Sequence, residues 1–164
     1  MTTVDTAKVT DHRPLHFNTI DDLLVEIDRI VAAERSGTLR WCGNWTPGQV
    51  FGHLATWINY GYVGFPRRAT PPWFIRPILR MKVKKYLRDG MPRGIKIPGI
   101  KEGTFGTEPL TTQEGAQRLK AALMRLKNRE PVRHYSPAFG EMPHEQHIAF
   151  QLRHAELHLG YLHC

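Results

Sequence analysis

The stretch RHAELHLG, residues 153–160, sets two imidazoles, His154 and His158, four residues apart in a segment of helical pattern. Four helical residues advance roughly 6 Å and slightly more than one turn, so both rings leave one face and can converge on a point, as a two-ligand half-site for a metal requires. Nine histidines in 164 residues supply about half of one such H-x-x-x-H match by chance, so the pair needs corroboration. Corroboration means a third protein ligand from a different helix. His53 is the candidate. It lies in the apolar stripe Val50, His53, Leu54, Trp57, Ile58, which points it inward, where a protonated ring is costly and a neutral one needs a partner. Toward the C-terminus, His147, Gln151, His154 and His158 share one helical face at steps of four, three and four. If that face meets the helix of His53, then His53, His154 and His158 form a three-nitrogen site with positions open to water or substrate, as catalytic divalent metals have. Zinc and nickel suit these donors first, and iron is acceptable. The competing reading is an inward histidine bonded to a backbone carbonyl or carboxylate, beside two ordinary helical histidines.

Four helical segments must do the positioning. The first spans about residues 18–34, with Ile20, Leu23, Leu24, Ile27, Ile30 and Val31 on one stripe, Asn18 or Thr19 as cap and Gly37 as stop. The second opens at WTPGQVFGHLATW, where Thr46 caps, Pro47 takes the first helical position and Gln49 closes a capping box. The third repeats the box with Thr111 and Glu114, and buries Ala116, Leu119, Ala122, Leu123 and Leu126. The fourth follows Pro143 and runs to the C-terminus through Ile148, Leu152, Ala155, Leu159 and Leu162. No segment shows sustained strand alternation and no repeat is visible. The expected fold is all-α, a four-helix bundle in one domain over residues 1–164. Residues 1–17 form an N-terminal extension, and a long basic crossover, residues 67–109, joins helices two and three.

The net charge of +8 belongs to that crossover. From Arg67 to Lys101 there are eleven Lys and Arg against one acid, Asp89, a local +10 that leaves −2 for the rest of the chain. Apolar residues (Trp73, Phe74, Ile75, Ile78, Leu79, Val83, Leu87) are interleaved with the charges. A solvated crossover laid on the core, a short amphipathic helix, a membrane-surface contact and an anion-binding arm all fit this composition. Arg67, Arg68 and Arg76 are the candidates for holding an anionic substrate. Nucleic acid ranks last as a partner, because no recognisable DNA-binding motif accompanies the charge. Two cysteines, Cys42 and Cys164, are too few for a disulfide framework. With a polar N-terminus and no run of 18 apolar residues, they point to a cytoplasmic protein without a transmembrane segment. Cys42, flanked by Trp41 and Trp45, reads as packing rather than as a nucleophile. Homodimerisation through helix faces left apolar by the bundle stays open.

NWTPGQVFGHLATW resembles the second-helix motif of the DinB-like (YfiT-like) metal-binding four-helix bundles, in which a capping Ser or Thr, a Pro and a downstream His-Leu are usual. RHAELHLGYL resembles their last-helix H-x-x-x-H motif, and SPAFGEMPHEQ is similar to the approach to that helix in an uncharacterised bacterial branch of the superfamily. The resemblance covers about residues 18–163. It implies that His53, His154 and His158 are the metal triad. It also implies an activity class: metal-dependent thiol transferases and isomerases, in which a low-molecular-weight thiol is activated to attack a small electrophile. On that reading His147, Gln151, Trp57 and Tyr161 face the substrate or support the ligands. A hydrolase with Glu156 or Glu145 as base is the nearby alternative, although Glu156 points away from the histidine face. A non-catalytic metal-binding or stress-associated bundle is the alternative from another class, and a closed four-ligand site would mark it.

Overall fold

Thr19, Thr46 and Thr111 each start a helix by the same reciprocal device. The threonine hydroxyl accepts the backbone N–H three residues on, at 3.1, 3.3 and 3.2 Å, and the side chain there (Asp22, Gln49, Glu114) accepts the threonine N–H. Each box satisfies donors that a helix N-terminus otherwise leaves bare. The computed structural model describes residues 3–100 and 103–164. Five α-helices lie within them: α1 Ile20–Arg35, α2 Pro47–Val63, α3 Arg76–Asp89, α4 Thr112–Lys127 and α5 His144–Leu159. The protein is all-α apart from one two-stranded antiparallel ladder, β1 Arg40–Trp41 with β2 Leu162–His163.

Helices α1, α2, α4 and α5 touch in a closed circuit, α2 against α4 and α5, and α1 against the same two. The apolar stripes meet in its middle. Ile27 and Ile30 of α1, Phe51 and Leu54 of α2, Leu119, Leu123 and Leu126 of α4, and Leu152 and Leu159 of α5 are all buried in one cluster. The stripes expected for α1, α2 and α4 are those that pack, with Leu24 and Val31 at the partly covered margin.

Two expectations change. The last helix stops at Leu159 instead of running through Leu162, and Arg40 pairs with His163 and Trp41 with Leu162. A two-residue strand is too short to show alternation, and it exists because the α1–α2 connection passes beside the chain end. The crossover also adds a fifth helix to the four expected, the short helix that its composition allows. It holds a 3-10 turn, Arg67–Ala69, and α3, whose Val83 and Tyr86 pack with Phe150 of α5, Phe139 and Met142 in a second small core. None of the helices in the described residues is long and apolar enough to cross a membrane.

Candidate metal centre

His53 lies inside α2 at 2% exposure, and His154 and His158 lie one turn apart on α5. The contact between α2 and α5 brings the three rings together. His53 Nε2 stands 3.1 Å from His154 Nε2, and His158 Nε2 stands 3.1 Å from the same atom. One ligand nitrogen from each ring falls within 4.8 Å of the others. The three are therefore close enough to hold one metal ion. Nitrogens bound at about 2.0–2.1 Å to a common ion in tetrahedral or octahedral geometry lie roughly 2.9–3.4 Å apart, and both 3.1 Å contacts fall in that window.

The protonation chemistry also fits a cation. His53 Nδ1 is 2.7 Å from the Phe105 carbonyl, which can only accept, so Nδ1 carries the proton and Nε2 presents its lone pair. His154 Nε2 then has two nitrogen neighbours at 3.1 Å and at most one proton for both. A shared cation satisfies all three lone pairs at once. Burial pushes the His53 imidazole down to about 4, and holds His154 and His158 well below the ordinary histidine range, with their mutual repulsion adding to the effect. At neutral pH all three are in the neutral form that a metal requires.

The surroundings are aromatic. Trp45, the residue before the α2 cap, stacks on His158 at 5.3 Å between ring centroids and lies 5.0 Å from His53. Trp57 stands edge-on to His53 and His154 at 6.1 and 6.3 Å, and its Nε1–H is buried without a partner among the described residues. Phe105 reaches the site because the returning crossover lies on α2, where Gln49 Nε2 donates to the Thr107 carbonyl at 2.9 Å. Gly106 permits that approach: its φ is +76°, and a Cβ there would stand 2.6 Å from Thr56 of α2.

The remaining expected residues are distributed more widely. Gln151 and His147 bond to each other at 3.1 Å on α5, with the His147 ring beside Gly61 of α2. Tyr161 turns toward the N-terminal segment, where its hydroxyl donates to the Thr6 carbonyl and its ring meets His12 edge-on. Arg67 and Arg68 are exposed on the 3-10 turn, and Arg76 Nε donates to the Pro71 carbonyl. Glu156 accepts from Phe17 N at 2.6 Å and pairs with Arg153 at 2.9 Å, while Glu145 pairs with Arg129 on the surface. Cys42 has His163 Nε2 at 3.7 Å, but burial pushes its thiol up, so it stays protonated.

The Phe105 carbonyl and the stacking role of Trp45 were not legible beforehand. A backbone acceptor has no residue signature, and only Gly103 and Gly106 hinted that the chain turns tightly there. No curated protein and no solved structure matches the chain. One family model does, over residues 9–163, a span that takes in all five helices and the three converging histidines, so the chain belongs to the family described as DUF1569, protein of unknown function.

Proposed function

We propose that His53, His154 and His158 bind a divalent metal, zinc or nickel before iron, and that the chain is a DinB-like metal-dependent enzyme acting on a small electrophile. The observation that carries the reading is the convergence of three imidazoles from two helices, with His53 Nε2 and His158 Nε2 each 3.1 Å from His154 Nε2 and all three ligand atoms within 4.8 Å of one another. No carboxylate or cysteine joins them as a fourth ligand among the described residues. Three nitrogens leave coordination positions for something other than protein, as a catalytic site does. A divalent ion there would supply the Lewis acidity that favours the thiolate form of a low-molecular-weight thiol co-substrate.

The chain's own residues have definable tasks. The Phe105 carbonyl holds the His53 ring in one tautomer and orientation. Trp45 and Trp57 cover the imidazoles against bulk water, and the Trp57 Nε1–H, without a partner among the described residues, is a donor available to a bound oxygen or sulfur. Thiol transfer is favoured over hydrolysis because both candidate bases are committed elsewhere, Glu156 to Phe17 and Arg153, and Glu145 to Arg129.

The test is metal content by plasma mass spectrometry on untagged protein, with His53→Ala and His154→Ala alongside and circular dichroism to check folding. Near-stoichiometric metal in wild type, lost from both folded variants, is expected. Wild type that remains empty after soaking in zinc, nickel and iron and dialysis would overturn the centre. Consumption of a small thiol against alkylating electrophiles then tests the transferase step, and a loaded protein inert to all of them leaves the non-catalytic bundle as the reading.

A further inference from the structure

Helix α3 has two apolar faces, and only one is covered. Val83 and Tyr86 point into the small core against α5. On the opposite side Ile78 and Met81, with Trp73 and Phe74 in the turn leading into the helix, are 50%, 72%, 77% and 60% exposed. Within α3, Ile78, Met81 and Lys85 follow one another at steps of three and four, so they form a single ridge, with Trp73 and Phe74 exposed in the turn before it. Lys82 and Lys84 flank that ridge on either side of Met81, both exposed. Neither they nor Lys85 has an ion-pair partner among the described residues; Asp89, the helix's one acid, is paired with Arg88 at 2.6 Å.

We propose that this ridge docks on an anionic lipid surface. The pattern is that of a helix lying in the membrane interface: large apolar side chains along the centre, aromatic residues at one end, and lysines on both flanks whose stems reach past the apolar stripe to phosphate. The crossover's local charge of +10 complements an anionic bilayer. A nucleic-acid surface would use the lysines but leaves Ile78, Met81 and Phe74 without a role. An acidic protein partner would need a groove to receive so convex a ridge, whereas a bilayer surface receives one by displacement of headgroups. Because α3 packs on α5, docking would hold the helix that carries His154 and His158 near the membrane surface. The inference stands apart from the metal reading and survives its failure.

The experiment is vesicle co-sedimentation of the full chain, with phosphatidylglycerol–phosphatidylcholine vesicles against phosphatidylcholine alone, for wild type, Trp73→Ala/Phe74→Ala and Lys82→Gln/Lys84→Gln/Lys85→Gln. Circular dichroism verifies each fold. Binding only to the anionic vesicles is expected, weakened on the order of 100-fold by the triple lysine variant and roughly tenfold by the double aromatic variant. Brominated lipid should quench wild-type tryptophan emission more than that of Trp73→Phe. Absence of binding to anionic vesicles overturns the proposal. So does binding that neither aromatic substitution nor brominated lipid affects, since charge alone would then explain it. Light scattering that shows a dimer dispersed by Trp73→Ala/Phe74→Ala, without vesicle binding, would assign the ridge to a second copy of the chain. Binding to duplex DNA but not to vesicles would assign it to nucleic acid.

Discussion

His53 concentrates the physical tension of the candidate centre, because it is a polar ring placed in a helix stripe that otherwise belongs to the core. Its neutral form has a carbonyl for Nδ1–H and the His154 imidazole facing Nε2, and its charged form has no carboxylate as a hydrogen-bond partner among the described residues. The consequence for stability has a definite sign. Above pH 6.5 the ring is neutral in both folded and unfolded chains and its titration contributes nothing. As pH falls below 6.5 the unfolded chain binds a proton that the folded chain refuses, so stability declines, and the decline levels off near the folded value of about 4. His154 and His158 are shifted in the same direction and steepen the fall. Urea midpoints of metal-stripped protein, taken in steps across this window, should therefore drop with pH, and His53→Gln should flatten the curve. A slope identical in the variant would assign the acid sensitivity to other groups.

At the scale of elements, the close approach of α2 to α4 sets where His53 can sit. A Cβ on Gly48, in the first turn of α2, would stand 2.1 Å from the Leu110 carbonyl oxygen, and one on Gly115 of α4 would stand 2.6 Å from the Gly48 carbonyl oxygen. Backbone meets backbone at both places, so no side chain can move aside to make room. Gly48→Ala should cost roughly 1–3 kcal/mol by forcing the start of α4 away. Because the same stretch of crossover carries Phe105 and Thr107, the variant should also weaken metal retention. Urea denaturation together with a chelator-competition titration reads both effects. Unchanged stability would mean that the helices pack less closely than these distances indicate. The stripes on α1, α2 and α4 were legible from periodicity, and so were the capping boxes of α2 and α4, because both depend on residue type at fixed spacing; the box of α1 was not, since Asn18 and Thr19 both offered a cap. The end of α5 was not legible, because the chain leaves the helix there to pair with a strand more than a hundred residues earlier.

For the whole molecule, the N-terminal segment acts as a strap across α5. Arg13 N donates to the Gly160 carbonyl at 2.8 Å, His12 to the Leu157 carbonyl at 2.9 Å, and Phe17 N to Glu156 at 2.6 Å, while Arg153 reaches back to the Phe17 carbonyl at 2.5 Å. Arg153 and Glu156 are both buried, so each depends on the other for compensation. Arg153→Met leaves the buried carboxylate, still held by the Phe17 N–H, without its paired guanidinium and should cost about 3–5 kcal/mol, and Arg153→Met/Glu156→Leu should recover part of that loss. A double-mutant cycle in urea measures the coupling, and additive losses would show that the pair is not coupled. The strap also accounts for Glu156 in the last-helix motif, where the residue serves to anchor the chain's first segment.

The sequence by itself determined the all-α class, the starts of α1, α2, α4 and α5, the buried stripes and the three candidate histidines, because each rests on local chemistry: a cap at a fixed offset, a period of 3.6 residues, an imidazole out of place in an apolar face. It also placed the excess charge in one crossover. Only the tertiary structure decided that the rings of α2 and α5 come to 3.1 Å of a common nitrogen. The same holds for the Phe105 carbonyl that orients His53, for Tyr161 turning to the strap, and for an apolar ridge left outward on α3. These depend on which helix lies beside which, and that is set by the summed packing of residues distant in sequence, which no local pattern encodes.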